Sequence, residues 1–391
     1  MTESPFTLRD YKRFGLEIYR TNNYEVEVWD LTALFHPDYG IIPPDPCEFP
    51  GLKIFKTKKD VLDCIAALNQ SDFVLNLNVS WMDKLWFYRA ISKNKVKYGM
   101  MSLGPVPMSE RQNISLLNEI YRIGRSFKFF KVSKYISLLT TRLKRKIPFG
   151  FLGVSPAALM LASGEMSLSN YYFPLNEKSE IVWLHVLDYD LYLEEQRTPS
   201  RDSQNKAVFL DVYMPFHPDF VLCNEKNTIT PEKYYLSLNR FFDYVEKEQN
   251  TSVEIAAHPR SDYPNMPSYF GNRRIIIGKT IESVRTSRFI ISHHSTALNM
   301  AILYQKPVIF VVTDEMIKGG LSRSIYTYAS WFGKVVHNID KPVSLDWDKE
   351  LTIDKEKYAE FRKSFIKKNG PDEISWQIFI NKLNELFGEV G

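Results

Sequence analysis

Short apolar runs and amphipathic stretches alternate along the whole chain of 391 residues. In the first half, runs rich in β-branched and aromatic residues predict strands at 24–29, 73–77 and 97–101. The stretch 82–92 has the spacing of a helix. Because strands interleaved with helices favour parallel βαβ units, this half is expected to form an α/β domain.

The second half repeats this alternation after a polar stretch at 194–206, which has mixed charge and no apolar periodicity and is typical of a linker. The patterns there predict strands at 207–212, 253–257, 275–277, 288–292 and 307–312 and helices at 232–247, 281–286 and 296–304. We therefore predict two Rossmann-like α/β domains that face a cleft, at 1–200 and 206–354. The chain from 353 onward is expected to be helical, with a break near Gly370 and Pro371.

Composition narrows the class of protein. With 44% hydrophobic and 25% charged residues, the chain is neither a coiled coil nor disordered. A formal net charge of +4 is too balanced to indicate a general nucleic-acid binder by itself. Three widely spaced cysteines without a CxxC pair favour neither a disulfide framework nor a cysteine zinc site, and they fit a reducing cytoplasm. No apolar run is long enough to span a membrane, so a cytoplasmic protein is expected.

His258-Pro259-Arg260 follows the apolar run at 253–257. Proline stops a strand, so His258 is expected at the carboxyl end of that strand, with the Arg260 cation two residues further on. Ligands of open parallel sheets bind at such ends. Imidazole and guanidinium groups suit a phosphate, although a histidine that only caps its loop is the alternative.

His293-His294-Ser295-Thr296 stands between a predicted strand and a predicted helix. Ser295 or Thr296 is a suitable N-cap, and the first N–H groups of the helix can bind an anion. Adjacent histidines in a strand point to opposite faces, and no third ligand is evident, so we expect no metal.

Asp211 lies at the end of the predicted strand 207–212 and is followed by a loop with His217-Pro218-Asp219. A carboxylate in an apolar strand is costly unless it is paired or used. Two interpretations remain open: Asp211 acts as a base or nucleophile, or it holds the following loop through buried hydrogen bonds.

The order of Asp211, His258-Pro259 and Ser295-Thr296, followed by Lys306-Pro307, resembles the second domain of GT-B glycosyltransferases. The likeness covers about 207–312 and is greatest to bacterial enzymes that use CMP-activated acidic sugars, the sialyl, Kdo and other nonulosonic-acid transferases. In the sialyltransferases, a His-Pro pair and a Ser-Ser or Ser-Thr pair hold the CMP donor. His258-Pro259 and Ser295-Thr296 take those parts by resemblance, with Arg260 and His294 beside them.

The resemblance implies a metal-independent enzyme of bacterial surface polysaccharide biosynthesis, such as lipopolysaccharide O-antigen or capsule. It would transfer an ulosonic acid from a CMP-activated donor to a lipid-linked or oligosaccharide acceptor, without a separate cofactor. It also implies C-terminal helices, 355–391, that cross back to the first domain. Asp211 becomes the candidate nucleophile of a retaining enzyme, or the base of an inverting one.

The sequence also departs from the family. Asn299 stands where many GT-B enzymes have a ribose-binding Glu, which weakens a UDP-sugar assignment, and the acidic pair followed by Gly of the sialyltransferases is missing from the first half. A polyol-phosphate transferase, a UDP-sugar enzyme and a non-catalytic nucleotide- or glycan-binding module remain alternatives.

Residues 121–146 contain nine Lys or Arg residues and no acidic residue, with aromatic and aliphatic residues between them. A basic, aromatic segment suits an anionic membrane surface or an anionic lipid-linked acceptor. Peripheral contact with the inner face of the inner membrane is one hypothesis. A solvated helix face beside the cleft and a nucleic-acid patch are the alternatives, and the balanced net charge disfavours the patch.

Overall fold

The computed structural model describes residues 1–37, 46–77, 82–107, 147–169, 173–197, 205–222 and 226–388. Strands of this part of the chain form three parallel sheets. They are β1 (Val28–Asp30), β2 (Leu52–Ile54), β3 (Phe73–Asn76), β4 (Lys97–Ser102), β5 (Leu159–Ala162), β6 (Glu180–Trp183), β7 (Lys206–Leu210), β8 (Ser252–Ala256), β9 (Ile275–Ile276), β10 (Phe289–Ser292), β11 (Val308–Val312) and β12 (Val336–Asn338).

The helices separate these strands and cover their faces. They are α1 (Leu8–Arg13), α2 (Leu16–Thr21), α3 (Thr32–Phe35), α4 (Lys58–Ala67), α5 (Leu85–Lys93), α6 (Leu187–Gln196), α7 (Asp219–Leu222), α8 (Pro231–Gln249), α9 (Thr280–Thr286), α10 (Leu298–Leu303), α11 (Asp314–Lys318), α12 (Ser322–Phe332), α13 (Trp347–Glu350), α14 (Lys355–Phe361) and α15 (Ser375–Phe387). Arg362–Ile366 continues α14 as one π-helical turn.

The second half of the chain builds a six-stranded sheet in the order β12-β11-β10-β7-β8-β9. Every residue of β7, β10 and β11 is buried, as expected for central strands with helices on both faces. The strand order changes direction between β10 and β7. Beyond the carboxyl ends of strands at such a switch point lies the usual ligand crevice of an α/β sheet.

The first half contains the four-stranded sheet β3-β4-β5-β6 and the two-stranded sheet β1-β2. The buried side chains of β4 and β5 pack with helix α5, which presents Phe87, Tyr88 and Ile91 to the core. Parallel pairing in all three sheets confirms the α/β class predicted from the alternation.

The C-terminal chain crosses from the second sheet to the first. Helix α14 packs on α12, with the rings of Phe332 and Phe361 5.1 Å apart. Helix α15 instead packs beside α2 and the first sheet, where Trp376 lies 6.0 Å from the ring of Tyr19 and donates its indole N–H to the Arg13 carbonyl at 2.8 Å. The returning helix and the two lobes, each with parallel sheets, confirm the GT-B architecture implied by the resemblance.

Several element boundaries differ from the sequence prediction. The predicted linker 194–206 begins inside α6, because Tyr189 and other apolar side chains of that helix join the core of the second sheet. The predicted strand 24–29 reduces to β1, and the predicted helix 296–304 begins two residues later. The division into domains at 200–206 stays a prediction, and 198–204 lie outside the described residues.

Candidate functional site at the carboxyl edge of the second sheet

Asp211, His258 and His294 follow three neighbouring strands, β7, β8 and β10. All three strands run parallel, so their carboxyl ends meet at one edge of the sheet. The motifs that stand far apart in the sequence therefore converge there, as the strand-end argument predicts.

Asp211 lies one residue beyond β7 and is buried. One carboxylate oxygen accepts a hydrogen bond from the Tyr213 amide at 2.9 Å. The other accepts from the Tyr263 hydroxyl at 2.9 Å and from the His258 amide at 3.3 Å. Burial raises the pKa of Asp211 to about 6, although these donors favour the ionised form. Asp211 therefore ties the loops after β7 and β8 together, and it is ionised at neutral pH.

His258 is half-buried, and its backbone turns sharply at Pro259. The Arg260 amide donates to Nδ1 of His258 at 3.2 Å, so the neutral ring carries its proton on Nε2. Burial, together with the smaller effects of the neighbouring His217, Arg260 and Arg9, lowers the pKa of His258 to about 3. His258 is thus a neutral N–H donor among cations, which suits an anion.

The sequence analysis placed His217 in the loop after Asp211 and gave it no role, but its side chain lies at this edge of the sheet. Its ring lies 4.9 Å from the ring of His258. The loops of the two histidines are also joined by an ion pair at 3.3 Å between Arg260 and Asp219. The signal was present in the sequence, because His217-Pro218 repeats the His258-Pro259 pair after the neighbouring strand.

His293 and His294 have different surroundings, as the alternation of a strand predicts. His293 is fully buried, donates from Nδ1 to the Val311 carbonyl at 2.7 Å and accepts at Nε2 from the Tyr234 hydroxyl at 2.9 Å. His294 is half-buried, and its Nδ1 has no hydrogen-bond partner in the described part of the chain. Burial and the nearby His217 lower the pKa of His294 to about 4. Only His294 belongs to the site.

Ser295 and Thr296 stand where the sequence placed them, before α10, but neither caps the helix. The N-cap is Ala297, and the Ser295 hydroxyl accepts from the Ala297 amide at 3.2 Å. The amides of Leu298 and Asn299 donate to the carbonyls of Ser295 and Thr296. The N–H groups of Ala297, Leu298 and Asn299 are therefore occupied, whereas the hydroxyls of Ser295 and Thr296 can still contact a ligand.

Asn299 is buried and donates from Nδ2 to the Asp188 carboxylate at 3.1 Å. Asp188, in the first turn of α6, is a site residue that the sequence analysis missed. Burial raises its pKa, whereas the Arg13 cation, the Asn299 hydrogen bond and the Arg9 cation oppose the rise. A carboxylate that joins two helices therefore stands beside Asn299, the residue at the place where many GT-B enzymes have a ribose-binding Glu.

Helix α1 contributes Arg9 and Arg13 from the first half of the chain. Desolvation lowers the pKa of Arg9, and so do the nearby Arg13 and Arg260 cations. The Arg9 cation also acts on His258, and both Arg9 and Arg13 act on Asp188. The charge of Arg9, from the first half of the chain, therefore acts on His258 together with that of Arg260. No sequence motif marks this contribution, because α1 is more than 170 residues away from Asp188.

Metal binding, membrane spanning and the basic segment are the remaining features that the sequence analysis considered. The described residues contain no group of three His, Cys, Asp or Glu side chains that could hold a metal ion. No described helix is long and apolar enough to cross a membrane. The basic segment 121–146 lies outside the described residues.

No protein-family model matches the chain, and no curated protein is significantly similar to it. Several solved structures are similar over most of its length. The calicheamicin glycosyltransferase CalG4 is 13% identical, with 98% of this chain and 95% of that chain covered and a TM-score of 0.45. The wall teichoic acid polymerase TagF is 13% identical, with 96% and 86% covered and a TM-score of 0.46. The UDP-GlcNAc 2-epimerase of Methanocaldococcus jannaschii is 11% identical, with 97% of each chain covered and a TM-score of 0.44.

Proposed function

We propose that the chain is a metal-independent glycosyltransferase that transfers an ulosonic acid, such as Kdo or a sialic-like sugar, from a CMP-activated donor to a glycan acceptor. The observation that carries this proposal is the neutral His258 beside Arg260 at the carboxyl edge of the second sheet. A CMP-linked sugar leaves with negative charge on one phosphate. Preorganised N–H donors and cations that face this charge stabilise the transition state without a metal.

The cations of both lobes support an acidic donor. A CMP-ulosonic acid carries a phosphodiester and a sugar carboxylate, so it presents two separate anionic groups. Arg260 and His258 suit the phosphate. Arg9 and Arg13 on α1 suit a second anion, because the Arg9 charge acts on His258 and both charges act on Asp188. The hydroxyls of Ser295 and Thr296 and the amide of Asn299 are proposed contacts for the nucleotide.

Asp211 is the proposed nucleophile of a retaining route. Its carboxylate attacks the anomeric carbon, the bond from that carbon to the CMP oxygen breaks, and CMP leaves with the electron pair. The acceptor hydroxyl then attacks the same carbon, loses its proton to a base and releases Asp211. An ionised carboxylate at neutral pH is compatible with this role. In an inverting route, Asp211 or an acidic residue of the first lobe is the base that deprotonates the acceptor.

The remaining parts of the proposal concern location and acceptor. We propose that the enzyme acts at the cytoplasmic face of the inner membrane on a lipid-linked or oligosaccharide acceptor of lipopolysaccharide or capsule synthesis. The basic and aromatic composition of 121–146 supports contact with anionic lipid. The balanced net charge argues against nucleic acid as a partner.

Thermal unfolding with CMP, CDP and UDP tests the donor class. A ligand that binds only the folded state stabilises it by about 2.7 kcal/mol at a hundredfold excess over Kd. We expect CMP to raise the unfolding midpoint, and the His258→Ala variant to lose most of that rise. Stabilisation by UDP but not by CMP would exclude the CMP donor. A larger effect of CDP, with turnover of CDP-glycerol, would favour a polyol-phosphate transferase.

A further inference from the structure

The two His-Pro turns of the second lobe have the same local geometry. In the first, the Asp219 amide donates to Nδ1 of His217 at 3.2 Å. In the second, the Arg260 amide donates to Nδ1 of His258, also at 3.2 Å. Each turn therefore uses Nδ1 as an acceptor from the second residue after the histidine. In both neutral rings, the proton must then reside on Nε2.

The turns also face each other. They follow β7 and β8, which are parallel neighbours, and the Asp211 carboxylate bonds to the amide of His258 from the end of β7. The imidazole rings lie 4.9 Å apart at an interplanar angle of 61°, and Arg260 pairs with Asp219 at 3.3 Å. His217 is therefore held beside the proposed phosphate-binding residue by the hydrogen bond within its own turn and by the ion pair that joins the two turns.

The hydrogen-bonding capacity of the pair is only half used. Nδ1 of each ring is occupied within its own turn, whereas no described residue forms a hydrogen bond with Nε2 of His217 or His258. The side chain of His217 is 23% exposed, so a ligand can reach it. Two Nε2–H groups and the Arg260 guanidinium form a set of donors for the oxygens of one phosphate.

We infer that His217 and His258 form a two-histidine anion site in which each Nε2–H binds an oxygen of the donor's leaving phosphate. This inference rests on the proposed function for the identity of the phosphate. When no ligand is bound, Arg260 pairs with Asp219. An anion that enters the site competes with the Asp219 carboxylate for the Arg260 guanidinium. His217 then acts by direct contact and not only by shaping its loop.

Two substitutions separate contact from loop shape. In His217→Asn, the side-chain oxygen can still accept from the Asp219 amide, but nothing replaces Nε2. In His217→Gln, the amide nitrogen approximates Nε2, but the acceptor close to the backbone is lost. Calorimetric titration of the full chain with CMP, and separately with inorganic phosphate, measures both variants and the wild type. Because a hydrogen bond to a charged group contributes about 1.5–3 kcal/mol, we expect His217→Asn to weaken CMP binding about tenfold or more.

His217→Gln should bind CMP more tightly than His217→Asn, and His217→Asn combined with His258→Asn should show coupling and not simple additivity. Equal CMP affinity of the wild type and His217→Asn would overturn the inference and leave the proposed function intact. So would weaker binding by His217→Gln than by His217→Asn, which would mean a loop role. If the wild type binds phosphate through His217 but no CMP, the proposed donor is wrong and the two-histidine site stands. Binding of neither probe overturns the site.

Discussion

The Asp211 carboxylate accepts a hydrogen bond from the backbone amide of His258 at 3.3 Å, although 47 residues separate them in the sequence. This contact fixes the loop that carries His258-Pro259-Arg260 against the end of β7. A second donor to the same oxygen, the Tyr263 hydroxyl at 2.9 Å, holds the loop further along. The carboxylate that we propose to react is therefore also the one that positions the phosphate-binding loop.

The pH dependence of turnover should report the ionisation of Asp211. Its pKa is raised to about 6, so kcat/KM with a CMP-sugar donor should rise with pH through about 6 and level off above it. Asp211→Asn should lower the rate at least about a hundredfold, because general acid–base and nucleophilic groups contribute that much or more. An unchanged rate in that variant would leave Asp211 with a purely structural role.

Tyr263→Phe should move the acidic limb of this profile to higher pH. The Tyr263 hydroxyl stabilises the ionised form of Asp211, so its loss raises the pKa of the carboxyl. Tyr235→Phe is the matched control, because the Tyr235 hydroxyl contacts Tyr263 at 3.0 Å and is not bonded to Asp211. The measurement is kcat/KM from pH 5 to 8 in both variants. Equal limbs in Tyr263→Phe and the wild type would mean that another group controls the rate.

Asp219→Asn should tighten the binding of anions at the carboxyl edge. Asp219 pairs with Arg260 at 3.3 Å, and both side chains are well exposed, so the pair contributes about 0.2–1 kcal/mol. The variant frees the guanidinium and keeps the backbone amide that bonds to His217. We expect CMP affinity to rise about two- to fivefold, with a smaller gain at high salt. Weaker binding by the variant would indicate that Asp219 itself orients the ligand.

The rule that ligands bind at the carboxyl ends of parallel strands identified the polar residues that directly follow a strand. Asp211, His258 and His294 follow apolar runs, and the parallel sheet brings them to one edge as expected. The same logic identifies His217 when the repeated His-Pro pair is given weight. Local pattern alone therefore predicted which of the candidate residues one sheet brings to the same edge.

Long-range contacts escaped prediction for a physical reason. Asp188 and Arg9 lie in helices whose local sequence carries no motif, and they reach the site only through the packing of α6 and α1. The cap of α10 was misplaced because carbonyls of Ser295 and Thr296 accept from the first helical amides, which removes the need for a hydroxyl cap. Hydrogen bonds between backbone groups leave no signature in residue type.

Asp190→Asn should change stability in a pH-dependent way. Asp190 is buried and accepts from the Ser375 amide at 2.8 Å, close to where the chain crosses between the lobes. Burial raises the pKa of Asp190 to about 7, far above its value in the unfolded chain. At pH values between the two pKa values, the folded state holds a proton that the unfolded state has lost, so the folded state loses stability as the pH rises through this range. Asn keeps the acceptor without the charge. The Tm of Asp190→Asn minus the Tm of the wild type should therefore increase from pH 4 to pH 8.

Asp372→Asn is the control for this effect. Lys367 and Tyr189 lower the pKa of Asp372, so the ionised carboxylate stabilises the fold at pH values above its unfolded pKa. The Tm of Asp372→Asn should therefore fall slightly further below that of the wild type as the pH rises. The sign of the trend is thus opposite in the two variants. A flat difference for Asp190→Asn would mean that Asp190 is ionised throughout and is paired with a cationic His185, whose Nε2 lies 3.6 Å away.

The contact of Gly15 with Trp376 tests the crossing of the C-terminal helix. Gly15 has a left-handed backbone with φ of 61°, and a Cβ atom there would clash with Cδ1 of Trp376. Gly15→Ala should therefore destabilise the wild type through both backbone strain and this clash. Trp376→Ala should cost about 3–5 kcal/mol, since the buried indole leaves a cavity.

Combining the two substitutions separates these costs. Without the indole, Gly15→Ala should cost only the strain of the left-handed backbone, about 1–2 kcal/mol. The double variant should therefore lose less unfolding free energy than the two single variants lose in sum. Urea unfolding followed by circular dichroism measures all four proteins. Additivity within about 0.5 kcal/mol would mean that the alanine side chain does not meet the indole. Helix α15 would then not pack on α2 as described, and the crossing between the lobes would fail with it.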